Sequence, residues 1–134
     1  MVTFKQGDII TMNFDPQAGH EQKGFRPALV VSNDDFNRFH NLRFICPITN
    51  THRNFLSHIN LDDRTKTTGV ILTDQVRMMD VNARGARFIE KCPNDILDEV
   101  VDVIKSFYRE DEIQRGLVLT GPLFVFTLAK NLMF

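Results

Sequence analysis

An arginine followed by a proline, Arg26-Pro27, stands between a polar, glycine-bounded loop and the apolar run Ala28, Leu29, Val30 and Val31. A guanidinium is a permanently charged fork of donors that can grip a phosphate or a carboxylate through two bonds at once. Pro27 pushes the backbone of Arg26 toward an extended conformation and, having no N–H, suits the first residue of a strand. The buried run behind it then holds the guanidinium at a fixed edge. Ahead of it, residues 17–25 carry His20, Glu21, Gln22 and Lys23 in succession. Loops of this polarity lie at the surface and often carry function. Arg84, Arg87 and Lys91 form a second basic group, which reads equally as a track for a phosphate backbone and as a solvated turn. Phe36, Phe39 and Phe44 could stack on bases, with core packing the stronger reading of each. His52 and His58, six positions apart, match no compact metal motif and read as polar surface residues. Cys46 and Cys92 have no CxxC partner, so neither a zinc site nor a disulfide framework is indicated, and both read as reduced thiols.

The elements that must position these residues follow from pattern. A chain of 134 residues is long enough for one compact core, and 43% apolar with 25% charged residues is the balance of an ordinary globular protein. The net charge of -1 advertises no polyanion partner and excludes none, because a local cluster of cations suffices. A strand is expected over residues 9–14, with Ile10, Met12 and Phe14 on one face. A second should run over 28–32 and stop at Asn33-Asp34-Asp35, which can cap a helical turn over 36–39. A third, over 43–49, is apolar enough to be central until Pro47 forces an edge or a bulge. Short strands over 58–61, 69–73, 75–79 and 87–91 complete the set, with 62–68 as an exposed loop. Several short strands separated by turn signals favour a small barrel or curled sheet over a βαβ fold.

Beyond Pro93 the period changes from two to 3.6: Leu97, Val101, Ile104 and Tyr108, widened by Ile96, Val100, Val103 and Phe107, form one stripe. This predicts a helix whose apolar face closes one end of the barrel. The fold class is thus mainly β with a C-terminal helix, occupying residues 1–110. Residues 111–134 form a hydrophobic tail of separate character. It is shorter than the roughly 20 apolar residues a membrane span needs and is interrupted by Gly121-Pro122 and Lys130-Asn131. Extra strands packed on the domain or on a partner, or an unstructured tail, both fit it. The N-terminus lacks the basic and apolar regions of a signal peptide, which points to the cytoplasm and to no membrane association.

The segments GDIITMNFDPQAGHEQKGFRPALVVSNDDFN, CPITN and TTGVILTDQVRMMDVNARGARFIEK, in this order and followed by a helix, resemble the Kid/PemK and MazF toxins of bacterial toxin–antitoxin modules over about residues 6–109. The resemblance implies a small SH3-like barrel of the CcdB/Kid/MazF type and a homodimer. It further implies an endoribonuclease, an mRNA interferase, that cuts single-stranded RNA at short specific sequences with no metal or other cofactor. Its protein partner is a cognate antitoxin, and it reaches operator DNA only through that antitoxin. Metal-free cleavage uses the ribose 2′-hydroxyl as nucleophile. The enzyme must help remove that proton, stabilise charge on the phosphate oxygens and protonate the leaving 5′-oxygen.

By resemblance to the MazF branch, Arg26 and Thr49 match its catalytic arginine and threonine: Arg26 as phosphate ligand and charge stabiliser, Thr49 as a hydrogen bond to the same phosphate. An arginine stays protonated and is a poor base, so His20, Glu21 and Asp74 are the candidates for proton acceptor. His20 and Asp74 match catalytic or RNA-contacting positions of the Kid branch, although an arginine that matters there is replaced by Leu72. RNA contacts are expected from Glu21, Gln22, Lys23, Asn50, His52, Arg53 and Arg84. Asp74 has the alternative of simply holding a turn or pairing with Arg77. Two competing functions share the barrel: a DNA gyrase poison like CcdB, against which the absence of tryptophan counts, and a catalytically inactive antitoxin-binding partner.

Overall fold

The computed structural model describes residues 3–15, 24–51 and 56–108. Seven strands, β1 (Asp8–Asn13), β2 (Phe25–Val30), β3 (Arg43–Thr49), β4 (His58–Asn60), β5 (Val70–Leu72), β6 (Arg77–Met79) and β7 (Arg87–Lys91), are joined by two helices, α1 (Asp34–Phe39) and α2 (Asn94–Ser106), and a 3-10 turn, Thr73–Gln75. The strands are hydrogen-bonded in the order β4-β5-β3-β2-β1-β7, with β6 also on β3, and every pairing is antiparallel. The end strands β4 and β7 share no ladder. The curled sheet is not closed by strand pairing; the turn between β6 and β7 meets the end of β1, where the Asn13 amide donates to the Arg84 carbonyl at 2.9 Å.

Because side chains alternate across a strand, β1, β2 and β3 each feed two apolar layers. Phe4, Ile10, Met12, Ala28, Val30, Ile45 and Val81 fill the barrel interior, with Phe14 packed at its margin. Ile9, Leu29, Cys46, Ile48 and Ile71 form the opposite layer, against Ile96, Val100 and Val103 of α2. The helix therefore covers a face of the sheet rather than plugging the end of the barrel. Its broad stripe meets a continuous apolar row from four strands, and each fully buried valine or isoleucine contributes about 1.5–3 kcal/mol. Tyr108, counted in the stripe, is 71% exposed just past the helix.

Several boundaries differ from expectation for local reasons. β2 begins at Phe25, so Arg26 is inside the strand, opposite Met12, and Pro27 lies opposite Thr11. The β2–β3 ladder starts only at Ala28, so the missing N–H of Pro27 falls where β2 is paired on one side. Pro47 is at no sheet edge: β3 has β2 on one flank and changes partner on the other, from β6 at residues 43–45 to β5 at residues 48–49. A residue without an amide proton sits at that change of partner. The strand expected over 75–79 is split, with the 3-10 turn taking up Gln75. Helix α1 starts two residues earlier than expected, capped by Asn33 Oδ1 accepting from the Phe36 amide at 2.8 Å.

Residues 62–68 are at the surface but are not loose. Arg64 makes paired hydrogen bonds to both Asp62 and Asp95 at 2.8–3.1 Å. Glu90 of β7 accepts from the amides of Lys66 and Thr67 and from the Thr67 hydroxyl at 2.8–3.0 Å. Burial pushes the Glu90 carboxyl up, but the three hydrogen bonds outweigh it and hold it below its ordinary value. A depressed carboxylate contributes stability above its unfolded pKa, near 4, and that contribution is lost as pH falls through the folded value. Glu90→Gln is therefore expected to melt below the unsubstituted protein at pH 7, with the difference closing below about pH 4. Melting curves from pH 3 to 7 measure this, and a gap independent of pH would contradict it.

Candidate active site

Arg26, Ala28 and Val30 share one face of β2, and the last two line the barrel interior. Arg26 thus stands at the rim of that interior, solvent-exposed. On β3, Thr49 shares its face with Ile45, another interior residue. Arg26 and Thr49 each lie two residues beyond Ala28 and Pro47, the last pair of the β2–β3 ladder. Two strand ends thereby bring a permanent cation and a hydroxyl to one side of the rim. Thr49 Oγ1 accepts from the Thr51 amide at 3.1 Å, a bond that does not use the hydroxyl proton.

Three consecutive residues fix this end of β3. Thr67 is bound to Glu90, Thr68 Oγ1 donates to Asn50 Oδ1 at 2.9 Å, and Gly69 passes under Thr49. Gly69 has φ +121°, and a Cβ there would lie 2.4 Å from the Thr49 carbonyl oxygen. Asn50, expected as an RNA contact, is exposed beside Thr49.

The base of the loop before β2 is fixed too. The Phe14 amide donates to the Gly24 carbonyl at 3.0 Å, and a Cβ on Gly24 would collide with the side chains of Asn13 and Asp15. Arg84, expected to touch RNA, donates from Nη1 to the carbonyls of Asn13 and Asp15 at 3.3 and 3.1 Å. It anchors the start of the loop that leads to Arg26. Of the basic group to which it was assigned, Lys91 is hydrogen-bonded to Asp8. A rim cation not singled out as a site residue is Arg77 of β6, whose guanidinium lies 5.5 Å from the Phe14 ring centroid. Its DQVR setting was visible in the sequence, but the contact across the curled sheet was not.

Asp74 lies in the 3-10 turn, four residues along the chain from Val70, the partner of Thr49. It does not pair with Arg77. His58 Nε2 lies 3.0 Å from Asp74 Oδ1, with the His58 side chain 3% exposed and that of Asp74 46% exposed. The His58 side chain is therefore buried rather than on the surface as expected. Leu72, in place of the Kid-branch arginine, is buried in β5 opposite His58. Cys46 and Cys92 are buried thiols, pushed up to about 12 by burial and Asp74, and to about 11 chiefly by burial. Neither is a nucleophile at neutral pH. His20, Glu21, Gln22, Lys23, His52 and Arg53 lie outside the described residues, as does the hydrophobic tail 111–134.

With this geometry in hand, a family profile described as PemK-like, MazF-like toxin of type II toxin-antitoxin system matches residues 5–108. The chain belongs to this toxin family. It is 40% identical over 101 residues to the Endoribonuclease PemK of Escherichia coli, covering 72% of this chain and 76% of that protein. The crystal structure of MazF from Deinococcus radiodurans superposes with a TM-score of 0.70 at 34% identity, over 80% of this chain and 97% of that one. A MazE-MazF complex from the same organism matches at TM-score 0.69 and 28% identity, over 80% and 96% of the two chains. This toxin accordingly has the mainly antiparallel, barrel-like fold of MazF, with one C-terminal helix. Its family-level partner is an antitoxin protein. No helix among the described residues is long and apolar enough to cross a membrane.

Proposed function

We propose that this toxin is a metal-independent endoribonuclease that cuts single-stranded RNA, mRNA in the cell, at short specific sequences. The ribose 2′-oxygen attacks the adjacent phosphorus, so that an O2′–P bond forms and the P–O5′ bond breaks. The 2′ proton passes to a base on the enzyme and the departing 5′-oxygen takes up a proton. The observation that supports this reading is that Arg26 and Thr49 each lie two residues beyond the last pair of the β2–β3 ladder, Ala28 and Pro47, on neighbouring strand ends. The guanidinium fork binds the phosphate and offsets the charge that grows on its oxygens, and the Thr49 hydroxyl donates to the same group. Asp74 and His20 are the proposed proton-transfer groups. Glu21, Gln22, Lys23, Asn50, His52, Arg53 and Arg84 flank the RNA. We further assign a homodimer in the cytoplasm whose antitoxin lays an acidic or amphipathic segment across the RNA groove, operator DNA being reached only through it.

Incubation of the purified toxin with a long single-stranded RNA in EDTA, followed by end mapping, tests the reading. Cuts recurring at one short sequence are expected. Intact RNA together with inhibited DNA supercoiling would transfer the site to a gyrase poison. Thr49→Val, which keeps the shape and removes the hydroxyl, is expected to slow cleavage about tenfold, the loss of roughly 1.4 kcal/mol of transition-state stabilisation. The melting temperature should stay within a few degrees, since the Thr49 hydroxyl bonds only an exposed amide among the described contacts. Single-turnover rates on a defined oligonucleotide decide this, and an unchanged rate removes Thr49 from the site.

A further inference from the structure

The proposed chemistry makes no use of a buried histidine that touches a half-exposed carboxylate beside the RNA-facing rim. His58 opens β4 opposite Leu72, the residue from which the 3-10 turn departs. The turn is tied to that strand twice. Thr73 Oγ1, fully buried, is hydrogen-bonded to the Ser57 carbonyl, and Asp74 Oδ1 meets His58 Nε2 at 3.0 Å. An ionised carboxylate only accepts, so this bond requires the proton on Nε2. The Asp74 side chain is itself half exposed and, without this bond, would sample several rotamers. An imidazole almost closed off from water is a rigid donor and can hold one carboxylate oxygen, leaving the other toward solvent.

We infer that His58 is a positioning residue for Asp74: it fixes the carboxylate in the orientation needed for proton transfer during RNA cleavage. This rests on the ribonuclease reading and on the role of Asp74 within it. Proton transfer requires a heavy-atom approach near hydrogen-bonding distance, so a small displacement of the acceptor costs rate rather than substrate affinity.

The test is a cycle of four proteins, the unsubstituted toxin, His58→Phe, Asp74→Asn and their double variant, together with His58→Gln, whose amide can still donate. Phenylalanine fills the space of the imidazole but offers no donor. His58→Phe should lower kcat by roughly ten- to a hundredfold with KM within about twofold. His58→Gln should recover most of that loss, and His58→Phe should do nothing further once Asp74 is asparagine. Should the phenylalanine variant not fold, His58→Asn, whose shorter amide cannot reach Asp74, takes its place. Losses that multiply in the double variant, a glutamine variant as slow as phenylalanine, or an Asp74→Asn variant at the full rate would each overturn the inference. Those results, with Arg26→Ala still strongly impaired, would leave the ribonuclease reading standing. An unsubstituted toxin that cuts no RNA would remove both.

Discussion

Arg26→Ala is expected to reduce RNA cleavage by about 10²–10³-fold while leaving the melting temperature within a few degrees. The size follows from losing a preorganised charge donor aimed at developing oxyanion charge, which typically costs two to three orders of magnitude. The small stability effect follows from where the side chain is: Arg26 is exposed at a rim, and its backbone pairing with Met12 is independent of its guanidinium. Arg26→Lys separates charge from shape. It keeps one positive charge but loses the bidentate fork, so its rate should fall between those of arginine and alanine. Single-turnover cleavage of one oligonucleotide by the three proteins measures this. A fully active alanine variant would move the phosphate site away from the Arg26–Thr49 rim.

Gly69→Ala is expected to damage fold and site together. At φ +121° an alanine is strained by about 1–3 kcal/mol. The added Cβ would also come within 2.4 Å of the Thr49 carbonyl, a backbone atom that cannot step aside without moving β3. The combined cost should be about 3 kcal/mol or more, a fall of roughly 10 °C in melting temperature for a domain of this size. Cleavage should fall as well at temperatures where the variant is folded, because relief of the clash displaces the residue that carries the hydroxyl. Thermal melts and rates measured well below the transition separate the two effects. A variant as stable as the parent would show that the close approach of residues 49 and 69 does not hold this end of β3.

Much of the positioning machinery was legible in the residue pattern. Alternation put Ile10, Met12 and Phe14 on one face of β1, and they line one apolar layer. The 3.6-residue stripe after Pro93 became α2. Arg26 and Thr49 were singled out together only through the family motifs, because nothing local in either segment says that β2 and β3 are neighbours. What sequence could not show was tertiary. His58 looked like a surface polar residue because its burial depends on the turn that follows β5. The anchoring of Arg84 was not visible because the carbonyls that hold it belong to residues about seventy positions away. The loop over residues 62–68 looked free because Glu90 and Asp95, which pin it, come from later elements.

The most direct test of the chemistry is one oligonucleotide pair: an RNA containing the mapped cut site and the same RNA with a single 2′-deoxy ribose immediately 5′ of the scissile phosphate. In EDTA, the all-RNA strand should be cut, leaving a 5′-hydroxyl on the downstream fragment, and the 2′-deoxy strand should stay intact at that position. Cleavage of both strands at the same rate, leaving a 5′-phosphate, would contradict attack by the 2′-oxygen and with it the role given to Arg26.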